Sequence, residues 1–192
     1  VVLRSQSYVT HISVSPKDAD AVKQARADIE DLRRNIAQKK LKGANDQVHD
    51  LYLQLSRSLE VLGQSAKAYQ YVSAVLAQNP KNNEALFREA SLFESLAPTS
   101  DALVAWREAL ERDPTRSASY EHIANITEYT LRDPQQANGI YVEGLVRGGN
   151  SLALMRSYAD FLERQGEKST ALLYWQAIAQ KDPKDENAQN HV

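Results

Sequence analysis

Alanine recurs along the chain with a large residue four positions later, at Ala68/Val72, Ala102/Trp106, Ala137/Tyr141 and Ala171/Trp175, so the same pair returns at a nearly constant interval. A period of about 34 residues leaves few architectures open. One such unit has too little core to fold alone, so units of this length bury their apolar faces by stacking on one another, as in a solenoid. Proline keeps the same beat. Pro80, Pro114 and Pro183 each fall twelve residues after an alanine of the series, with Asn79, Asp113 or Asp182 just before. Proline has no amide hydrogen for the helical ladder and pushes its predecessor out of the α region, so each of these sites predicts a helix end. The third unit has Gly148 and Gly149 at that place, and glycine ends a helix by adopting the left-handed conformation.

Units set at 49–82, 83–116, 117–151 and 152–185 share a second small residue eight places in: Ser56, Ala90, Ala124 and Ala159. Around it, at helical spacing, stand Tyr52 and Leu55, Leu86 and Phe93, Tyr120 and Ile123, and Tyr158 and Leu162. Small residues here and at the later alanine let two antiparallel helices approach closely, while the large residue beyond fills the space beside them. Each unit is therefore predicted to be a helical hairpin. Gly63 and Gly166 sit at the turn between its helices, Ala97-Pro98 takes that place in the second unit, and Leu131-Arg132-Asp133-Pro134 in the third, with one extra residue.

This pattern resembles that of the tetratricopeptide repeat family, whose unit has a Trp, Leu-Gly and Tyr in a first helix, then Ala and Phe four apart, then Pro, at the same period. Four units in register, about three quarters of the chain, fit it. The fold this implies is all-α: a right-handed α-solenoid of antiparallel helix hairpins, preceded here by an extra N-terminal helix. That helix is not another repeat, since the register carried back by one period puts Arg34 where the small alanine belongs. Val22, Ala25, Ile29, Leu32 and Ile36 advance by three and four, predicting a helix from about Asp18 to Leu41 with a narrow apolar seam and a stop at Lys42-Gly43. Either it caps the exposed end of the first unit or it pairs two chains as a short coiled coil; a seam this short favours capping. Residues 1–16, with Val9, Ile12 and Val14, form an extended or disordered lead-in, 17–48 hold the helix and its loop, and 186–192 begin a further helix or tail.

Residues 1–48 carry nine Lys/Arg against six Asp/Glu, and residues 49–192 carry fourteen against nineteen, so the repeat array is at about −5. A surface that must neutralise phosphates has the opposite sign, which disfavours nucleic acid as the array's ligand. The absence of 18 consecutive apolar residues predicts no transmembrane segment, and the absence of cysteine rules out a disulfide framework. A first residue that is not methionine predicts a processed or excised piece of a longer protein, and an envelope-associated or membrane-anchored bacterial parent is one expectation. The sequence leaves the compartment open. His11, His49, His122 and His191 share no metal-ligand spacing, and neither a phosphate-binding glycine loop nor a nucleophile elbow is present. No catalytic constellation, metal site or cofactor is expected, nor a small-molecule substrate.

What remains is binding. In tetratricopeptide arrays the first helices of successive hairpins line a concave groove, facing it with positions 2, 5, 9, 12 and 13 of each unit, and the resemblance implies a peptide or partner segment held there. Position 12 is Glu60, Glu94, Glu128 and Glu163, a ladder of carboxylates; beside it stand Arg57, Phe87, Ser91, Glu121, Asn125, Tyr129, Arg156 and Asp160. One expectation is a Lys/Arg-bearing partner segment, with Phe87 and Tyr129 in apolar or cation–π contact. The other is that pairs within one helix satisfy the charge, since Arg57 is three residues from Glu60 and Asp160 four from both Arg156 and Arg164. A carboxylate clamp of the kind some co-chaperones of this family carry is absent, because the places of its Lys, Asn, Lys and Arg hold Leu53, Arg57, Ala118 and His122. Two wider readings stay open. The array is a scaffold of a multi-protein assembly, in a bacterial envelope or secretion system for example, that uses its convex face or ends, with self-association through the N-terminal helix or the array ends. Or it resembles the half-a-tetratricopeptide proteins of RNA processing, a reading that the ordinary repeat prolines disfavour.

Overall fold

The computed structural model describes residues 16–41 and 45–192. The stretch around Val9, Ile12 and Val14 and the helix stop at Lys42-Gly43 lie outside the described residues. Ten α-helices follow one another among them: α1 Pro16–Leu41, α2 Asn45–Val61, α3 Ser65–Gln78, α4 Asn83–Leu96, α5 Thr99–Arg112, α6 Ser117–Asn125, α7 Pro134–Arg147, α8 Leu152–Arg164, α9 Lys168–Lys181 and α10 Glu186–His191. The chain forms two compact units whose boundary, between Tyr71 and Val72, falls inside α3.

In the first unit α1 packs along α2. Ala25, Ile29 and Ile36 of the predicted seam are buried, as are Val48, Leu55 and Leu59 of α2. The Lys40 ammonium lies 5.3 Å from the Tyr52 ring centroid, and that ring packs on Tyr71 at 5.3 Å. α2 begins at Asn45, upstream of the boundary that the repeat alone sets at residue 49.

The second unit is built of the hairpins α4–α5, α6–α7 and α8–α9, followed by α10 against α9. Local chemistry sets each boundary. Asn79, Asp113 and Asp182, each before a proline, accept the amide hydrogen two residues on, from Lys81, Thr115 and Lys184 at 3.3, 3.3 and 3.2 Å. Such an Asx turn bends the chain sharply just where the proline forbids the helix to continue. Three residues further, Asn82 and Asp185 cap the next helix by accepting from Ala85 and Ala188. After α7, Gly149 and Asn150 make the bend instead, at φ +68° and +56°, as the glycine pair predicts.

The small residues sit at the helix contacts: Ala90, Ala124, Ala137, Ala159 and Ala171 have no exposed surface, and Trp106, Tyr141 and Trp175 fill the space beside them with none either. Ala102 is 1% exposed. Leucine there has no room to enter, so Ala102→Leu is expected to destabilise the array by about 1–3 kcal/mol through overpacking, measured by denaturant unfolding; an unchanged midpoint would mean that α4 and α5 can separate.

The extra residue of the third unit, which the spacing assigns to the turn at 131–134, is taken up earlier. After Asn125 the helix widens into a π-helical turn, Ile126–Thr130, and the Leu131 amide donates to the Ile126 carbonyl five residues back at 3.1 Å. A π turn holds one more residue than an α turn without breaking the hydrogen-bond ladder. The insertion therefore leaves both Ala124 and Ala137 at their helix contacts and changes only where the residues between them point.

Candidate interaction surface on the first helices

Ten of the twelve groove residues predicted from the repeat register fall on α4, α6 with its π turn, and α8, all within the second unit. Arg57 and Glu60 stand on α2 in the first unit, where Arg57 borders a cleft with Asp28, Asp31 and Leu32 of α1.

In the second unit the position-12 glutamates are engaged. Glu94 accepts the Trp106 indole N–H at 2.9 Å, and His122 stacks on that indole with ring centroids 4.4 Å apart and 14° between planes. The His122 Nδ1 lies 2.7 Å from the same Glu94 oxygen. The arrangement recurs two units along: Glu163 accepts the Trp175 indole N–H at 3.0 Å, His191 stacks on it at 4.4 Å, and His191 Nε2 is 3.7 Å from Glu163. A buried indole must have its N–H satisfied, and the glutamate twelve residues earlier does it. The carboxylates thus act partly inward. The signal was present in the sequence as a Glu, a Trp twelve later and a His sixteen after that, found once from Glu94 and again from Glu163.

Glu128 differs because its unit has Tyr141 for tryptophan and Ser157 for histidine. With no indole to serve, its carboxylate is buried and receives Arg164 through Nη2 at 2.8 Å and Nε at 3.2 Å, with Gln165 adding a bond at 3.3 Å. That hydrogen bond, more than the charge alone, holds the Arg164 guanidinium above its usual pKa. Tyr141, pushed far up by burial, donates its hydroxyl to Asn125 at 2.9 Å. The Ser157 hydroxyl donates to Glu121 at 2.6 Å. Arg156 reaches forward to Asp185 at 2.5 Å and Asp182 at 3.7 Å. The Glu121–Ser157 and Glu128–Arg164 pairs link one hairpin to the next, whereas sequence spacing had offered Arg156 and Arg164 a partner within their own helix. A side chain at position 5, 12 or 13 of one first helix is within reach of the neighbouring unit.

Phe87 is covered: the Arg116 guanidinium sits 3.5 Å over its ring, held by Glu84 at 2.9 Å, and its edge packs on Trp106 at 5.0 Å. Ser91 is half-buried. Tyr129 is half exposed, with Arg164 at 5.4 Å from its ring. Asp160 accepts no hydrogen bond among the described residues. Burial raises its carboxyl pKa, Arg164 and His191 oppose that, and Glu163 adds to it. The Arg164 guanidinium and the His191 imidazole therefore share a neighbourhood with three carboxylates, those of Glu128, Asp160 and Glu163. Among the described residues no His, Cys, Asp and Glu cluster could hold a metal ion, and no helix is long and apolar enough to cross a membrane.

Stacked helical hairpins with this register define a tetratricopeptide-type helical-repeat solenoid, and comparison with solved structures shows the same fold. A tetratricopeptide repeat protein from Parabacteroides merdae matches over 91% of this chain and 68% of its own, with a TM-score of 0.62 and 19% identity. PilW, a widely conserved type IV pilus biogenesis factor, matches over 74% of this chain and 66% of its own, at 0.60 and 18%. YrrB, a repeat protein of this type with an unusual peptide-binding site, matches over 78% of this chain and 77% of its own, at 0.54 and 15%. No family profile matches the sequence, and no curated protein does.

Proposed function

We propose that the chain is a non-catalytic protein–protein interaction module whose first helices receive a peptide or partner segment, and that the centre of the site is the surface between the π turn and α8. The observation that carries this is Asp160: a half-buried carboxylate with unused acceptor capacity, on a surface where the charges around Arg164 leave an excess of negative sign. Removing such a group from water is unfavourable unless a cation or donor meets it, so the segment it suits carries a lysine or arginine, with Tyr129 beside it for cation–π or apolar contact. The likeness to YrrB, with its peptide-binding site, and to PilW, a pilus biogenesis factor, supports both peptide capture and an envelope setting.

Asp160→Asn is expected to weaken a Lys- or Arg-containing peptide by about tenfold and to flatten the salt dependence of its binding, read by fluorescence anisotropy against an array of extended peptides. The same substitution should leave the fold no less stable at neutral pH. A carboxyl whose folded pKa is raised contributes stability only at low pH and loses it as pH rises through that pKa, so removing its charge at pH 7 removes a cost. Basic peptides that bind the variant and the parent equally would overturn the proposal. A scaffold role is the second reading, favoured by the apolar side chains exposed on the second helices, Val104, Val146 and Leu173 among them.

A further inference from the structure

In the second unit a groove between consecutive second helices, floored by a first helix, occurs twice. Between α7 and α9 it is a cavity of about 440 Å³ confined to the N-terminal turns of the two helices, reaching no further than Asn138 and Thr170. There the Tyr158 ring of α8 meets the Tyr174 ring of α9 edge-on at 5.0 Å and closes the rest, with the Tyr158 hydroxyl donated to Asn138 at 2.8 Å. Between α5 and α7 the equivalent cavity is about 630 Å³ and runs on to Pro114 and Arg147. In register Ile123 stands for Tyr158, Ile140 for Tyr174 and Leu103 for Asn138. Both rings that close the groove one hairpin along are missing here, and so is the acceptor that serves a tyrosine hydroxyl. The apolar walls forfeit dispersion contacts that a ring would restore, and with leucine at the acceptor's place a phenylalanine ring suits them better than a phenol.

Charge at the rim narrows what carries the ring. On α7, Glu143 and Arg147 pair with each other at 3.0 Å, with the glutamate N-terminal, the favourable order along a helix. On α5 the order is reversed, Arg107 before Glu111. Although these two also line the cavity one turn apart, neither makes a hydrogen bond or ion pair among the described residues. The rim thus holds one unspent cation and one unspent anion about 6 Å apart along the helix axis. An occupant that presents a carboxylate to Arg107 and a basic group to Glu111 complements both. A free hydrocarbon does not, whereas a peptide with an acidic and a basic side chain around a phenylalanine does.

We propose that the groove between α5 and α7 is a second docking site, which takes the phenylalanine side chain of a partner segment carrying an acidic and a basic residue beside it. The site is separate from the surface around Asp160, and each is tested without the other.

Toluene titrated into the chain and followed by methyl NMR reads the ring site. Saturable shifts at the Leu110, Ile123 and Ile140 methyls are expected, with binding at least about tenfold weaker in Ile140→Tyr and, independently, in Ile123→Tyr. Each variant puts back a ring that the α7–α9 groove carries, and circular dichroism melts verify that both fold. A displayed library of random peptides, selected on the Asp160→Asn chain so that the first-helix surface does not compete, reads the partner. The selected sequences should share a phenylalanine flanked by an acidic and a basic residue, bind the parent chain equally and bind Ile140→Tyr at least about tenfold more weakly. Arg107→Glu combined with Glu111→Arg should weaken them about fivefold, and exchanging the peptide's own two charges should restore the binding. Toluene that leaves those methyls unshifted overturns the proposal, as do selected peptides that lack phenylalanine or are indifferent to Ile140→Tyr. Toluene binding with no peptide selected overturns the partner segment and assigns the groove to a small aromatic molecule.

Discussion

Trp106→Ala is expected to lower the stability of the second unit by about 3–5 kcal/mol. The side chain has no exposed surface, so truncation leaves a void that a helix contact held by Ala90 and Ala102 cannot close by small adjustments. It also takes from the Glu94 carboxylate the indole N–H that it accepts at 2.9 Å, leaving His122 as its partner, and removes the face on which His122 stacks. Trp106→Phe separates these effects, because it keeps most of the apolar volume and deletes the hydrogen bond, and about 1 kcal/mol is the expected loss. Denaturant unfolding followed by far-ultraviolet circular dichroism measures both. A loss under about 1 kcal/mol for the alanine variant would show that the indole is not a packing element, and the register on which the fold assignment rests would need revision.

Gly144→Val should be comparably damaging, and its sign is a contest between two known effects. Glycine inside a helix is disfavoured by about 1 kcal/mol relative to alanine, so a side chain at 144 begins with an advantage. Space decides against it. A Cβ there would stand 2.6 Å from the Tyr120 Cβ, 2.7 Å from its Cγ and 2.8 Å from a Leu154 methyl carbon, where α7 is wedged between α6 and α8. Forcing those helices apart costs about 1–3 kcal/mol for a first methyl group and more for a branched side chain. A Cβ added at Gly139, on the same helix, would meet nothing within 4 Å, so Gly139→Ala should instead stabilise by up to about 1 kcal/mol. Opposite signs at two glycines five residues apart are the expected result, and thermal melts of the two variants check it. Equal stabilisation at both would show that the α6–α7–α8 contact is looser than the geometry indicates.

The repeat architecture was legible in the sequence because its determinants are local and periodic. Alanine at a helix contact, a large residue one turn on and proline after Asn or Asp are each read from a few neighbouring residues, and the burial of Trp106 and Trp175 agrees with that register. The glycine bend after α7 followed from the same reasoning. The π turn did not: an insertion of one residue shows in the spacing from Ala124 to Ala137, but whether a loop or a helix absorbs it depends on which option keeps Thr127 and Glu128 buried.

The candidate site was legible to a smaller degree. Positions on the first helices could be named, and the acidic character of the array counted, from residues alone. The state of each carboxylate could not. Glu94 and Glu163 look equivalent to Glu128 in register, yet two serve buried indoles and the third a guanidinium, because the partner of each lies twelve to thirty-six residues away. Asp160, one acidic residue among many in the sequence, is distinguished only by the burial and the charges that packing places around it. By itself, then, the sequence determined the hairpins and their period, since these depend on backbone chemistry and small-residue spacing. The tertiary structure decided which charged groups are engaged within the fold, which keep acceptor capacity unused, and where a cavity opens between second helices, since each is a balance of desolvation and packing between segments distant along the chain.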